Sequence, residues 1–260
     1  MPVTDRPDPA AYMDQVASSR QGQAYKQALL AAMDLRPGHH VLEVGCGPGA
    51  DLPAFAAAVG PTGRVSALDH SPTMVTGAQK RTAALPADCA AVDVALGDAH
   101  ALPLASASID RAHADRVLEH VADPAGVLTE LARVVRPGAL VGLAEPDWAT
   151  LAIAADDLEA SQAFTDHTVT PVVCNARIGR QLPRLGAAAG FEVAAVRAFP
   201  AVFEDLEQAD AVLGVTRNTM AAVAGGHLEQ ARSAAWLADL ARVPFTAVVT
   251  VFAVVLQAPA

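Results

Sequence analysis

The sequence predicts an α/β fold built on a mostly parallel, doubly wound sheet, and three observations carry that expectation. Short apolar runs alternate with longer alanine-rich helical stretches from about residue 37 to residue 150, the rhythm of βαβ units. A glycine-rich loop, Val41-Leu-Glu-Val-Gly-Cys-Gly-Pro-Gly49, closes the first of those runs. The chain has 260 residues, 52% of them hydrophobic, which suits one globular domain with a large core.

The elements follow in order. Residues 1–36 form a helical preface, weakly amphipathic from Tyr12 to Met33. His40–Val44 is a first strand stopped by glycines, and Leu52–Val59 a helix. Arg64–Leu68 is a second strand that ends at Asp69. Ser71–Leu85 is a helix opened by Ser-Pro, a capping residue followed by the proline that suits a first helical position. Ala91–Leu96 and Ile109–Ala114 are the next strands, Ala125–Val135 a helix closed by Arg-Pro-Gly, and Ala139–Ala144 a fifth strand. Beyond residue 150 helices are predicted at Asp157–His167, Ala176–Ala189, Leu206–Ala224 and Leu228–Ala241. Strands are predicted at Phe191–Phe203 and Pro244–Leu256, the latter long for a single strand.

Composition narrows the function. The net charge is −10 with a pI near 5.1 and no basic cluster, which argues against a nucleic-acid partner, because phosphate neutralisation supplies most of that affinity. Cys46, Cys89 and Cys174 are odd in number and lack CxxC spacing, as reduced thiols do, so no metal site is expected. The N-terminus lacks the pattern of a signal peptide. The most apolar stretch, Phe245–Leu256, is shorter than the roughly twenty residues of a membrane span. A cytoplasmic protein without a membrane partner is expected; the oligomeric state is open.

Glycines at the carboxyl end of a first strand let a ligand approach the backbone, at the crevice where doubly wound sheets bind small molecules. Gly45, Gly47 and Ala50 also satisfy a loose dinucleotide fingerprint. Glu43 before the loop, Asp69 closing the second strand and Gly97-Asp98-Ala99 after the third distinguish the readings. A carboxylate at Asp69 can accept from both hydroxyls of a ribose, and one at Asp98 from the exocyclic amine of adenine.

The motifs VLEVGCGPG, LDHSPTM, GDAHALPLASASID and DRVLEHVADPAGVLTELARVVRPGALVGLAEPDW, in that order, resemble the class I S-adenosylmethionine-dependent methyltransferases, in particular the ubiquinone/menaquinone-biosynthesis-like type 11 group. The resemblance covers about residues 25 to 150, departing mildly at Gly138-Ala139, where the family more often has Gly-Gly. It implies a seven-stranded, mostly parallel sheet at 37–260 with a helical lid at 1–36 and substrate-cap insertions near 156–190 and 205–241. It also implies S-adenosylmethionine as cofactor, S-adenosylhomocysteine as product, and a small, largely apolar acceptor methylated on O, N or C. Carried over, Glu43, Gly45, Cys46, Gly47 and Gly49 surround the methionine part, Asp69 holds the ribose with His70 beside it, and Met74 packs on adenine. Asp98 and Ala99 meet the adenine edge, and Arg116 meets the amino group. From the lid, Tyr12 or Arg20 is expected near the methionine end.

In-line methyl transfer can draw much of its acceleration from positioning, on the order of 7–11 kcal/mol, and needs a base only where the nucleophile must lose a proton. His167 and Asp147 are the candidate bases, Asp147 standing beside the alternative of a solvated loop carboxylate. His120 and Trp148 are candidate substrate contacts. A short-chain dehydrogenase would need a Tyr-x-x-x-Lys pair, which the two tyrosines, Tyr12 and Tyr25, do not provide. A protein that binds the cofactor without transferring its methyl is the alternative of another class.

Overall fold

The computed structural model describes residues 9–242 and 244–260. Seven strands, β1 (His40–Val44), β2 (Arg64–Asp69), β3 (Ala91–Leu96), β4 (Ile109–Asp115), β5 (Val135–Ile153), β6 (Glu192–Phe203) and β7 (Ala247–Gln257), form one sheet. Its order is β3-β2-β1-β4-β5-β7-β6. β1 to β5 pair in parallel, and β7 runs antiparallel between β5 and β6. The order reverses between β1 and β4, so the ends of those two strands bound the crevice in which such sheets take their ligands.

Alternate residues of each strand feed opposite faces. Val41, Val65 and Ala67 pack under Phe55 of α3 (Leu52–Val59) and Ala78 of α4 (Pro72–Thr82). Leu42, Val44, Ala112 and Leu143 face the other way, toward α5 (Pro124–Val134) and α7 (Ile178–Ala188). α1 (Pro9–Ser18) and α2 (Arg20–Ala32) precede the sheet, and α2 lays Tyr25, Leu29 and Met33 on Ala144, Val251 and Val255.

A second core stands beyond the parallel strands. The far halves of β5 and β7 carry Trp148, Leu151, Ile153 and Val249 into it. There they meet α6 (Leu158–His167), α8 (Leu206–Leu213), α9 (Val215–Ala224) and α10 (Gln230–Leu240), with Phe164 and Trp236 at the centre. A five-residue π-helix, Thr168–Val172, follows α6.

Three predicted elements change. β5 does not stop at Ala144 but continues through Pro146 to Ile153. Past Ala144 it has lost β4 and pairs only with β7, and a proline is tolerated on such an edge. The helix expected over 206–224 breaks at Gly214, whose left-handed backbone (φ 63°, ψ 41°) ends α8 and opens α9. The N-terminal helix breaks at Ser19, whose hydroxyl accepts from the Gly22 amide at 3.0 Å.

α7 approaches the sheet through a glycine. A Cβ on Gly179 would stand 2.7 Å from the Glu145 carbonyl oxygen and 3.0 Å from the Phe252 ring. Gly179→Ala is therefore expected to cost about 1–3 kcal/mol through overpacking against backbone, read as a melting temperature lower by several degrees. An unchanged melting temperature would show that α7 can shift away freely.

Candidate active site

The glycine loop leaves β1 with left-handed backbone at Gly45 (φ 67°), Gly47 (φ 51°) and Gly49 (φ 82°). A Cβ on Gly45 would lie 2.4 Å from Val117, and one on Gly47 would lie 2.7 Å from Met13 of α1. Asp69, buried at the end of β2, braces the loop: one carboxylate oxygen accepts from the Gly47 amide and the other from the Ser71 amide, both at 2.9 Å. Burial pushes the Cys46 thiol pKa up, so it fills space rather than acting as a nucleophile.

Buried and half-buried ionisable groups gather below the loop. Tyr25 donates to both oxygens of Asp115, at 3.1 and 3.0 Å. The Lys26 ammonium bonds Asp115 and reaches Asp51 at 2.5 Å. Burial works against the charged forms of both Lys26 and Asp115, yet their neighbours together outweigh it: Asp115, Tyr25 and Asp51 raise the lysine, and Lys26, His113 and Arg116 lower the aspartate. Burial and then Asp115 push the Tyr25 phenol well up. Glu43 and His113 are cross-strand neighbours in β1 and β4, joined at 2.6 Å. Burial raises the Glu43 carboxyl; burial opposes the charged His113 ring, but Glu43, Asp51 and Asp115 together outweigh it and raise it. Glu43, Asp51 and His113 each bring one ligating atom within 4.8 Å of the others, and Lys26 and the Glu43–His113 bond already occupy this set.

Two cavities meet at this point. One runs beneath Met13 and is lined by Glu43, Gly45, Cys46, Asp51 and Asp115. The other is walled by Trp148, Phe199, Phe203, Val249 and Val251. Val16, Tyr25 and Arg116 line both. Arg116 holds a left-handed backbone (φ 58°) at the end of β4, with its amide donating to the Ala144 carbonyl at 2.8 Å. Its Nε lies 3.7 Å from Glu119. Glu119 is itself buried and accepts from the Trp148 indole at 2.7 Å. Glu145 beneath it accepts from the amides of Val117, Leu118 and Glu119. Burial and the neighbouring Glu119 hold the Glu145 carboxyl well above the usual carboxylate range.

Glu43, Gly45, Cys46 and Arg116 come together in the first cavity, and Trp148 walls the second. His70 and Asp98 are exposed, Met74 is buried and Ala99 half-buried, all beyond the ends of β2 and β3. Asp98 accepts from the His100 amide at 2.9 Å and lies 2.8 Å from its ring. His120 is exposed, 3.5 Å from Glu119. The Tyr12 side chain lies outside the described residues. Arg20 is exposed and lines neither cavity; Tyr25 and Lys26, five and six residues further along α2, take that place.

Both expected bases lie elsewhere. Asp147 is fully buried within β5 and forms an ion pair with Arg180 of α7, one contact at 2.9 Å; the strand's continuation turns a supposed loop carboxylate into a buried one. His167 is 6% exposed in the second core, its ring 5.1 Å from that of His227, and both its nitrogens lack a hydrogen-bond partner among the described residues. Burial and His227 lower its pKa. Sequence reading gives Tyr25, Lys26 and Asp51 no place at the site, and Asp115, Glu119 and Glu145 no stated role there. One signal was available: Lys26 is one of only two lysines in the chain.

Residues 42–143 match the family described as "Methyltransferase domain". Over 252 residues the chain is 50% identical to a protein of Streptomyces fradiae described as an uncharacterized 37.1 kDa protein in transposon TN4556, covering 97% of this chain and 72% of that one. It is 34% identical over 129 residues to a demethylmenaquinone methyltransferase of Bacillus cytotoxicus, a match that spans 50% of this chain and 54% of the relative. Among solved structures, a Bacillus halodurans protein assigned as a methyltransferase superposes with a TM-score of 0.68 at 17% identity, over 92% of this chain and all of that one. That likeness is one of fold.

The Lys26–Asp115 pair has a testable pH signature. The lowered Asp115 carboxyl contributes stability above the ordinary value of about 3.9 and loses it as pH falls through the depressed one. The raised Lys26 contributes below about 10.4 and loses its share as pH climbs past that value. Asp115→Asn is expected to cost about 1.5–3 kcal/mol at neutral pH, because it removes one of the two carboxylates that hold the half-buried Lys26 ammonium and leaves Asp51 alone. In thermal melts the gap between variant and native protein should be widest between about pH 5 and 9 and narrow below about pH 4. A gap independent of pH would contradict the pairing.

Proposed function

Since the chain belongs to the class I S-adenosylmethionine-dependent methyltransferases of the type 11 group, we propose that it methylates a small, largely apolar acceptor received in the Trp148 cavity. The observation that carries this reading is the junction itself. A glycine cradle at the switch point opens, past Tyr25 and Arg116, into a second cavity with aromatic and aliphatic walls, the composition of small-molecule pockets.

The residues fit the cofactor. The three left-handed glycines let the loop backbone pack closely against Val117, Met13 and Ala78, where no Cβ fits, and Glu43, Asp51 and Asp115 line the cavity beside Gly45. We assign Glu43, Gly45, Cys46, Gly47 and Gly49 to the methionine part. Each Asp69 oxygen accepts one amide, which leaves a lone pair on each for the ribose diol. Met74 and His70, with Asp98 and Ala99 across from them, serve the adenine. When bound, S-adenosylmethionine supplies a methyl group activated by a sulfonium leaving group. The chain's part is then to hold, align and dehydrate. α1 and α2 act as the lid, α1 pinned by the Asp14–Arg81 ion pair at 2.8 Å and seating Met13 over Gly47. The segments around 156–190 and 205–241 complete the acceptor side.

Two measurements test this function. Calorimetry with S-adenosylhomocysteine should show Asp69→Ala binding at least tenfold more weakly, a loss of about 1.4 kcal/mol, and hydrogen exchange across residues 9–32 should slow when that ligand is added. Unchanged affinity and unchanged exchange would defeat the assignment of cradle and lid.

A further inference from the structure

The sheet ends at β6, a twelve-residue edge strand whose two halves are treated differently. Proline is accommodated in an edge strand where its missing N–H faces away from the ladder, so the backbone of Pro200 points outward. Alternate residues of an antiparallel strand turn their backbone groups to the same edge, which sets Val196, Ala198 and Val202 outward as well. The Val202 carbonyl agrees with this: it accepts from the Gln21 side chain at 2.5 Å. Proline and glutamine thus guard the second half of the edge. Over residues 192–198 the described residues offer the outward backbone groups no partner beyond the β7 ladder.

A bulge between Val193 and Ala195 decides which side chains share a face there. Leaving Ala194 out of the ladder puts Glu192 on the face of Ala195, Arg197 and Phe199, the side packed by α2. Val193 and Val196 take the opposite face, beside Leu256 and Val254 of the core under α7. Val193 is 40% and Val196 48% exposed. Glu192 and Arg197 are exposed too, and neither has an ion-pair partner among the described residues.

This stretch is complementary to itself. A two-fold axis through Ala195 lays two copies of β6 antiparallel, with Val193 opposite Val196 and Glu192 opposite Arg197, each pair occurring twice. The outward backbone groups of Val193 and Val196 then meet as hydrogen-bonded pairs. Opposite charges and β-branched residues facing each other across strands both stabilise pairing. An axis through Val196 would instead set Arg197 against Ala195 and Glu192 against Phe199. The other edge of the sheet is less open, since Gln79 donates to the Val94 carbonyl of β3 at 3.1 Å and Asp93 is held by Arg64.

From this self-complementarity we infer that the chain forms a two-fold homodimer through residues 192–198, joining two seven-stranded sheets edge to edge. The contact uses the same patch on both copies, so it closes at two. Val193 and Val196 are covered by their counterparts, and the guarded half of β6 lies outside the pairing.

Sedimentation equilibrium of the full chain tests this. At micromolar concentration the native protein should have twice its 26.6 kDa chain mass. Glu192→Arg and Arg197→Glu each bring like charges together at both ends of the pairing, and each should raise the dimer dissociation constant at least tenfold. An equimolar mixture of the two variants should regain native association, because each supplies the charge that the other lacks; that recovery also shows that both are folded. In a Cys174→Ser background, Ala195→Cys should yield a disulfide-linked dimer under mild oxidation, as the close approach of a non-hydrogen-bonded pair allows. A monomeric native chain, growth beyond two copies, single reversals that associate as the native chain does, a mixture that stays dissociated, or no cross-link at residue 195 would overturn the inference.

Discussion

The buried ammonium of Lys26 is the interaction on which the site's geometry depends. It ties α2 to the end of β4 through Asp115 and to the start of α3 through Asp51, three segments that have no backbone hydrogen bonds in common. A buried ion pair is poor evidence of net stability, since desolvation consumes much of the Coulombic gain. Its value here is directional. The Tyr25 hydroxyl closes on both Asp115 oxygens, so a single carboxylate fixes two neighbouring residues of α2. Those residues floor one cavity and divide it from the other.

A second acidic centre does for the Trp148 cavity what Asp115 does for the cavity under the glycine loop. Glu145 gathers three successive amides as the chain turns out of β4, and so sets the path of the backbone that carries Arg116 and Glu119. Glu119 then reaches Trp148 on β5. Backbone and indole are thereby registered to each other by two buried carboxylates. The left-handed turn at Arg116 is affordable because this network determines it from both ends.

Much of this was legible in the sequence where the signal is local. The glycine loop, Asp69 closing β2 and the alternation of strands and helices each depend on residues within a few positions of one another, and they set the loop at the switch point of the sheet. The Lys26–Asp115 contact joins residues 89 apart, and neither carries a periodicity or motif that points to the other. Asp147 was misread for a physical reason. Glu145-Pro146 looks like a strand terminus, since proline is excluded from the middle of a sheet, but β5 has already become an edge there and runs on. Arg20 was misplaced because a break at Ser19 turns α2 relative to α1, bringing Tyr25 and Lys26 inward.

The position of β7 bears on how the polypeptide reaches its native state. The last strand in sequence lies inside the sheet, flanked by β5 and β6. Until it is inserted, both neighbours present open hydrogen-bonding edges, and β6 bears Val193, Val196 and Val202 on exposed surface. During synthesis β1 to β5 can assemble from contiguous units, whereas β5 and β6 cannot be joined until residues 247–257 have emerged. That interval is when unpaired strand edges invite intermolecular pairing. The same arrangement gives the enzyme a form of quality control: a chain truncated before residue 247 lacks the strand that joins its two halves.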